Sequence, residues 1–285
     1  MNADRAYQDL VANILNYGIE RTDRTGTGTI GLPFQQMRFD LTENKIPLLT
    51  TKKMFTRGII HEILWYLQGS TNIKYLVDND VHIWDEWADE NGELGPVYGA
   101  QWRNWKVYDF IEGHAEGYEW VDDGYHVKGI DQIAQCVNKL RTNPTDRRII
   151  VSAWNVADIP KMRLPPCHCL LQFWSDGKTL SSHLYQRSCD VGLGVPFNIV
   201  QYGILTHMFA HVTGLTPKEF VWTGGDVHIY NNHRHELVEQ ICRDAYASPI
   251  LKLNPAVKEI DDFKFEDFEI LGYQHHPAIK MEVSV

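Results

Sequence analysis

Ile199 to Val212 presents apolar side chains on nearly every face before Gly214 and Pro217 end the run. A helix without a polar side has to be enclosed by other elements, because laying it on a surface would leave apolar area in water. The spacing therefore predicts a core helix of about fourteen residues around which the rest of the chain is built.

The neighbouring segments supply what such a helix needs. Ile149 to Trp154, Leu170 to Trp174 and Leu180 to Tyr185 read as strands, and Gln36 to Leu41 as another with Met37 and Phe39 on one face. Helical spacing appears in Ala6 to Gly18 (Leu10, Val11, Ile14, Leu15) and in Ile130 to Arg141. A further helix carries Ile59, Ile60, Ile63, Leu64 and Leu67, and because Trp65 and Tyr66 flank Glu62, that carboxylate is expected to be buried or half-buried. The tail sets Phe263 and Phe265, then Phe268 and Ile270, among acidic residues, as a half-exposed strand would. Trp105 to Lys128 has no sustained period and reads as an inserted surface loop or hairpin, centred on about 106–127. With 285 residues, 44% of them hydrophobic, the expectation is one globular α/β domain spanning 1–285.

Charge and cysteine usage narrow the function. Against 27 basic residues stand 37 acidic ones, and a net charge of −10 argues against a general nucleic-acid or anionic-membrane binder. An anionic ligand would need arginines clustered locally. Five cysteines without a C-x-x-C pair fit a reducing compartment, so a cytoplasmic location is expected. No run of about 18 apolar residues occurs, and neither a signal peptide nor a membrane span is expected.

Chemistry concentrates around one cysteine. In Leu164-Pro165-Pro166-Cys167-His168 the two prolines fix their own φ and remove two N–H donors, so Cys167 is presented from an extended entry rather than from a helix. A buried structural thiol is the plain alternative; a nearby guanidinium would instead favour thiolate. Arg24, Arg147, Arg148 and Arg187 are the candidates, although most arginines are solvated surface charges. Arg24 precedes Thr25-Gly26-Thr27-Gly28-Thr29, which lacks the Gly-Lys-Ser/Thr ending of a P-loop and so does not suggest nucleoside triphosphate hydrolysis. Strict alternation sends Arg187 and Ser188 to opposite faces, so a shared ligand requires the strand to end or bulge there. Asn198 reads either as an N-cap of the core helix or as an amide matching a uracil N3–H and O4. A Cys–His hydrolase would need a histidine other than the adjacent His168. His228, Tyr230, His233 and His235 match no usual zinc spacing, and His228 and Tyr230 would share one face of an extended segment as hydroxyl partners.

Taken together, the chain resembles the thymidylate synthase / pyrimidine hydroxymethylase family from about Tyr7 to Val285. The resemblance rests on Asp23-Arg-Thr-Gly-Thr-Gly-Thr, His61-Glu-Ile-Leu-Trp, Ile83-Trp-Asp-Glu-Trp, Gly95-Pro-Val-Tyr-Gly, Asp146-Arg-Arg-Ile, Pro166-Cys-His, Tyr185-Gln-Arg-Ser, Pro196-Phe-Asn and His228-Ile-Tyr. It implies a large mixed sheet with packed helices and a homodimer joined through the sheets. It also implies that Cys167 attacks C6 of dUMP, and that Arg24, Arg187 and Ser188, with Arg147 and Arg148 of the partner subunit, hold the phosphate. Asn198 would read the base and His228 and Tyr230 the sugar. Glu62, Tyr98 and His168 would form the proton-transfer network, with Arg187 and Asp190 joining the catalytic set and Asp190 also the nucleotide set. Ile83, Trp84, Trp87, Leu164, Asp190 and Gly194 match a folate pocket, with Lys52 near the folate tail and Val285 closing over it. The implied donor is 5,10-methylenetetrahydrofolate, with no metal; nucleic acid would at most be a secondary partner, as mRNA. Departures from the family pattern are Pro33-Phe34 for Phe-Gly, Gly192 for a bulky aromatic, Val200-Gln201 for Ala-Ser, and the longer 106–127 segment. A sister activity quenches the same intermediate with water to give 5-hydroxymethyl-dUMP; Trp84, Leu164 and Val285 would shield it, which favours the synthase.

Overall fold

The apolar segment does form the central helix. The computed structural model describes residues 2–110, 118–122 and 125–284. In chain order they form α1 (Ala3–Tyr17), β1 (Ile19–Arg21), β2 (Thr29–Asp40), α2 (Thr56–Gln68), α3 (Lys74–Asp78), α4 (Tyr98–Arg103), β3 (Trp105–Phe110), β4 (Glu119–Asp122) and β5 (Tyr125–Ile130). There follow α5 (Gln132–Thr142), β6 (Ile150–Ser152), β7 (His168–Ser175), β8 (Thr179–Asp190), α6 (Gly194–Thr213), β9 (Thr216–Tyr230), α7 (Arg234–Ile241), β10 (Ile250–Leu253) and β11 (Phe268–Leu271). Sixteen of the twenty residues of α6 are buried, which is what a helix without a polar side requires.

A six-stranded sheet in the order β1-β2-β9-β8-β7-β6 packs against it. β8 and β9 run parallel and the other neighbours antiparallel, so the sheet is mixed. The parallel pair is joined through α6, the crossover such a pair needs. Its register sets Asp190 beside His228 and Ser188 beside Asp226 at the carboxyl ends of the strands. The amino end of β7 (His168 opposite Gln186) and that of β2 (Thr29 opposite Tyr230) reach the same end of the sheet. His168, Ser188, Asp190, His228 and Tyr230 thus collect at one rim, whereas Arg147 and Arg148, ahead of β6, lie at the opposite end of β7.

Several local expectations are corrected. α6 begins at Gly194, five residues before Ile199, because Pro196 falls in the first turn, where its missing N–H is no loss. Asn198 is therefore a helical residue, and the N-cap reading fails. β2 extends back to Thr29 because β9 is long enough to pair with all of it, and β1 was not expected at all. Phe263 and Phe265 belong to short 3₁₀ turns and their flanks, with Phe263 in the core; only Phe268 to Leu271 is a strand. β3, β4 and β5 make a three-stranded antiparallel sheet where an irregular loop or hairpin was expected; residues 111–117 and 123–124 lie outside the described residues. Glu62 is buried, as the ring-flanked helix predicted. No helix among the described residues is long and apolar enough to cross a membrane.

Candidate active site

Cys167 sits immediately before β7, half-buried, at the end of the proline entry. Its N–H donates to the Tyr98 hydroxyl at 2.8 Å, and its carbonyl accepts from the Arg187 N–H at 2.9 Å. The Arg187 guanidinium donates through Nε to the Pro166 carbonyl (3.0 Å) and through Nη2 to that of Pro165 (2.8 Å), and lies 5.4 Å from the centre of the Trp154 ring. Two carbonyls left by the prolines thus fix the arginine that flanks the thiol. Burial pushes the Cys167 thiol up, while the Arg187 charge and the Tyr98 hydroxyl pull it back.

The break in β8 expected at Arg187 and Ser188 is not seen in its register; the slip lies on the neighbouring strand instead. β8 continues in register with β9 to Asp190, whereas β7 slips by one residue between His168 and Leu170. The extra residue there turns Cys167 and His168 relative to the sheet.

Behind the thiol lies a wall of rings. His168 packs against Tyr98 and Tyr202, each at 5.1 Å between ring centres, and burial lowers its pKa to about 4 despite the Asn198 side chain beside it. The imidazole is neutral at ordinary pH, so the Cys167–His168 ion pair of a hydrolase is not formed. Asn198 Oδ1 accepts from Gln186 Nε2 at 2.9 Å, and Gln186 Oε1 accepts from Trp222 Nε1 at 2.8 Å. That chain orients the amide, so the flip ambiguity of an isolated asparagine is removed. Glu62 Oε1 accepts from Trp84 Nε1 (2.6 Å) and the Tyr66 hydroxyl (3.1 Å), and Oε2 from Gln201 Nε2 (2.9 Å). Burial raises the Glu62 pKa, and these three donors oppose it.

The arginines divide. Arg187 is built in, but Arg24 is exposed, on a loop whose Thr25 and Gly28 N–H groups donate to the Asp23 carboxylate at 2.8 and 2.7 Å. Gly26 and Gly28 both take φ of +78°, which lets the loop close on Asp23. Arg147 and Arg148 are also exposed, before edge strand β6; Arg148 pairs with Asp146 at 3.2 Å. His228 and Tyr230 do share a face of β9, their rings meeting edge-on at 5.2 Å, and His228 Nδ1 lies 3.1 Å from Asp226.

A family model for thymidylate synthase matches residues 5–285. The chain belongs to the thymidylate synthase family. The family is one of methyltransferase-type enzymes of nucleotide biosynthesis, and it uses methylenetetrahydrofolate as its cosubstrate.

Against the thymidylate synthase pattern the departures now have positions. Phe34 occupies a glycine position and adopts φ of +49°, a left-handed conformation costly for a side chain of this size. A Cβ on Gly192 would lie 2.5 Å from His233 Nδ1 and 3.1 Å from Met281 Sδ. The space of a bulky aromatic is thus taken by His233 and the tail. Gln201 is wholly buried against Glu62. On the folate side, Trp84 is buried and meets Trp87 edge-on at 5.8 Å, with half-buried Ile83 and Leu164 packed against the core. Asp190 Oδ1 accepts from the N–H groups of Gly192 (2.9 Å) and Leu193 (3.3 Å), just before Gly194 opens α6. Lys52 is buried, donates to the Gly192 carbonyl at 2.8 Å, and has its pKa lowered to about 8 by burial. Val285 lies outside the described residues. Among the described residues no group of three or more His, Cys, Asp or Glu side chains is placed to hold a metal ion.

Sequence reasoning passed over Tyr66, Gln186, Tyr202, Trp154 and the role of Asp23. Gln186 and Asp23 stood inside the quoted motifs. Trp154 carried no signal, since it follows β6 and meets Arg187 of β8, which is not a neighbour of β6 in the sheet.

Proposed function

We propose that this chain is a thymidylate synthase acting on dUMP as one catalytic domain, in a homodimer joined through the sheets, and in the cytoplasm. The observation that carries the reading is the fixed nucleophile: Cys167 held at its N–H by Tyr98 and flanked by an Arg187 anchored on Pro165 and Pro166.

Cys167 Sγ, as thiolate, adds to C6; the C5–C6 π pair moves to C5 and O4 as an enolate. Asn198, oriented by Gln186, holds the N3–H and O4 edge, and Glu62 delivers a proton towards O4 and its surroundings through water. Arg24, Arg187 and Ser188, with Arg147 and Arg148 contributed across the interface, take the phosphate, and His228 and Tyr230 the 3′-hydroxyl. After the C5 proton leaves, the Cys167–C6 bond breaks and the thiolate is regenerated.

The residues present fit a folate: Trp84 and Trp87, meeting edge-on, with Ile83 and Leu164 offer apolar surface, and the Asp190 carboxylate an acceptor for ring N–H groups. Lys52 and Gly194 complete that side. Methylenetetrahydrofolate supplies the one-carbon unit and the hydride. The hydroxymethylase reading needs water beside the base instead. Both departures that would admit it are filled, Gly192 by His233 and Met281 and position 201 by a buried glutamine, which favours the synthase.

The test is an assay with dUMP and methylenetetrahydrofolate that follows dihydrofolate absorbance and identifies the nucleotide by mass. Dihydrofolate with dTMP is expected. Tetrahydrofolate with 5-hydroxymethyl-dUMP would establish the sister activity.

A further inference from the structure

Gln201 is an odd residue for the middle of a helix with no polar side. Its side chain is wholly buried, its Nε2 donates to Glu62 Oε2, and its own Oε1 has no partner among the described residues. An unpaired buried acceptor is costly, and a leucine or methionine of similar volume would avoid the cost. The amide therefore calls for a reason beyond packing.

The reason lies in how Glu62 is held. Both donors to Oε1, Trp84 and Tyr66, are fixed rings that only donate in this arrangement. Gln201 is the donor to Oε2, and a primary amide is two-faced: half a turn about its last bond replaces the N–H by a carbonyl oxygen. Ionised Glu62 accepts from Nε2; Glu62 protonated at Oε2 donates to the turned Oε1, which is the atom now without a partner. Carboxylate and carboxylic acid can then occupy one position.

We propose that Gln201 is the positioning residue of Glu62, holding its Oε2 in both protonation states so that Glu62 gains and releases a proton without moving. The family pattern has serine at this place, and a serine hydroxyl ends two bonds earlier, leaving room for a bridging water. Here an amide that turns in place does the work of that water. The inference rests on the reading of Glu62 as a proton-transfer group.

Other ionisable groups around Glu62 do not replace Gln201. Tyr66 on α2, Tyr98 on α4 and Tyr202 on α6 are all held far above their ordinary pKa by burial. His168, from β7, is neutral and packed tilted against Tyr98 and edge-on against Tyr202, and the Tyr98 hydroxyl accepts from the Cys167 N–H. On the other side of α2, His61 turns to the Tyr75 hydroxyl at 3.0 Å and stacks on Phe265 at 4.5 Å, near Arg57 and Glu266.

The pKa of Glu62 is read directly from its infrared carboxyl band, identified as the band that Glu62→Gln removes. Gln201→Met keeps the volume and loses the donor; the pKa should rise by about one to two units. The acid limb of the kcat/KM profile for dUMP should move to higher pH by the same amount. Gln201→Ser, with space for water, should restore both to within about half a unit of the wild type. An unmoved carboxyl band in folded Gln201→Met overturns the proposal, as does a moved band with an unmoved rate profile. Gln201→Leu carries the same test should the methionine variant not fold. Absence of dUMP turnover in the wild-type chain would instead fault the functional reading, while the band still decides whether Gln201 holds Glu62.

Discussion

The two halves of the candidate site are built by opposite means. Around Cys167 and Glu62 the Cys167 N–H and both Glu62 oxygens are paired to side chains before any ligand arrives, and rings fill the space between. Arg24 stands exposed on the rim and Arg147 and Arg148 stand exposed at the other end of β7, and the Asp23 loop turns its N–H groups inward on its own carboxylate. On the proposed reading, chemistry that depends on sub-ångström placement is held by the interior, whereas recognition of the phosphate would be left to arms that the ligand draws together. The first half should answer to mutation in stability and turnover together, the second in affinity alone.

The sharpest break of that contrast is Cys167→Ala, expected to reduce turnover by about four orders of magnitude or more while dUMP binding stays measurable by calorimetry. Undiminished turnover would sink the nucleophile. In the same half, the unfolded His168 imidazole takes up a proton near 6.5 and the folded one only at about 4. The unfolded state binds more protons in between, so stability falls as pH drops from 6.5 towards 4, by up to about 3 kcal/mol, and falls no further for this group below 4. Buried His207, also lowered to about 4, acts alike, so His168→Asn should flatten only part of that slope in denaturant titrations at each pH.

Tyr98→Phe and Arg24→Ala form the matched pair. Loss of the hydroxyl leaves the Cys167 N–H unpaired and should cost about 1–3 kcal/mol of stability along with turnover. Arg24→Ala should raise the KM for dUMP roughly 10- to 100-fold and leave stability within about 0.5 kcal/mol. Equal stability losses in the two would erase the distinction between the halves. Smallest is Phe34→Gly: relief of a left-handed phenylalanine, less the added freedom of glycine when unfolded, should gain about 0.5–1 kcal/mol in denaturant midpoints. A loss there would show that the exposed ring has packing to lose.

The sequence by itself determined that α6 must be enclosed, that Glu62 would be buried, that Cys167 would be presented from an extended entry, and that His228 and Tyr230 would share a face. Each follows from local periodicity or from proline geometry, which act over a few residues. It also carried the ordered motifs by which the family was recognisable. Only the tertiary structure decided that Pro196 opens α6 rather than preceding it, that the slip near Cys167 falls on β7 rather than β8, and that Arg187 is tied to two proline carbonyls. Those outcomes depend on which strands become neighbours, and pairing across some twenty to two hundred residues leaves no mark in a local pattern. The meaning of Gln201 belongs to the same class: one polar letter in an apolar helix becomes a partner for Glu62 only once α2 and α6 pack, because burial is what makes an unpaired amide and an unshielded carboxylate need each other.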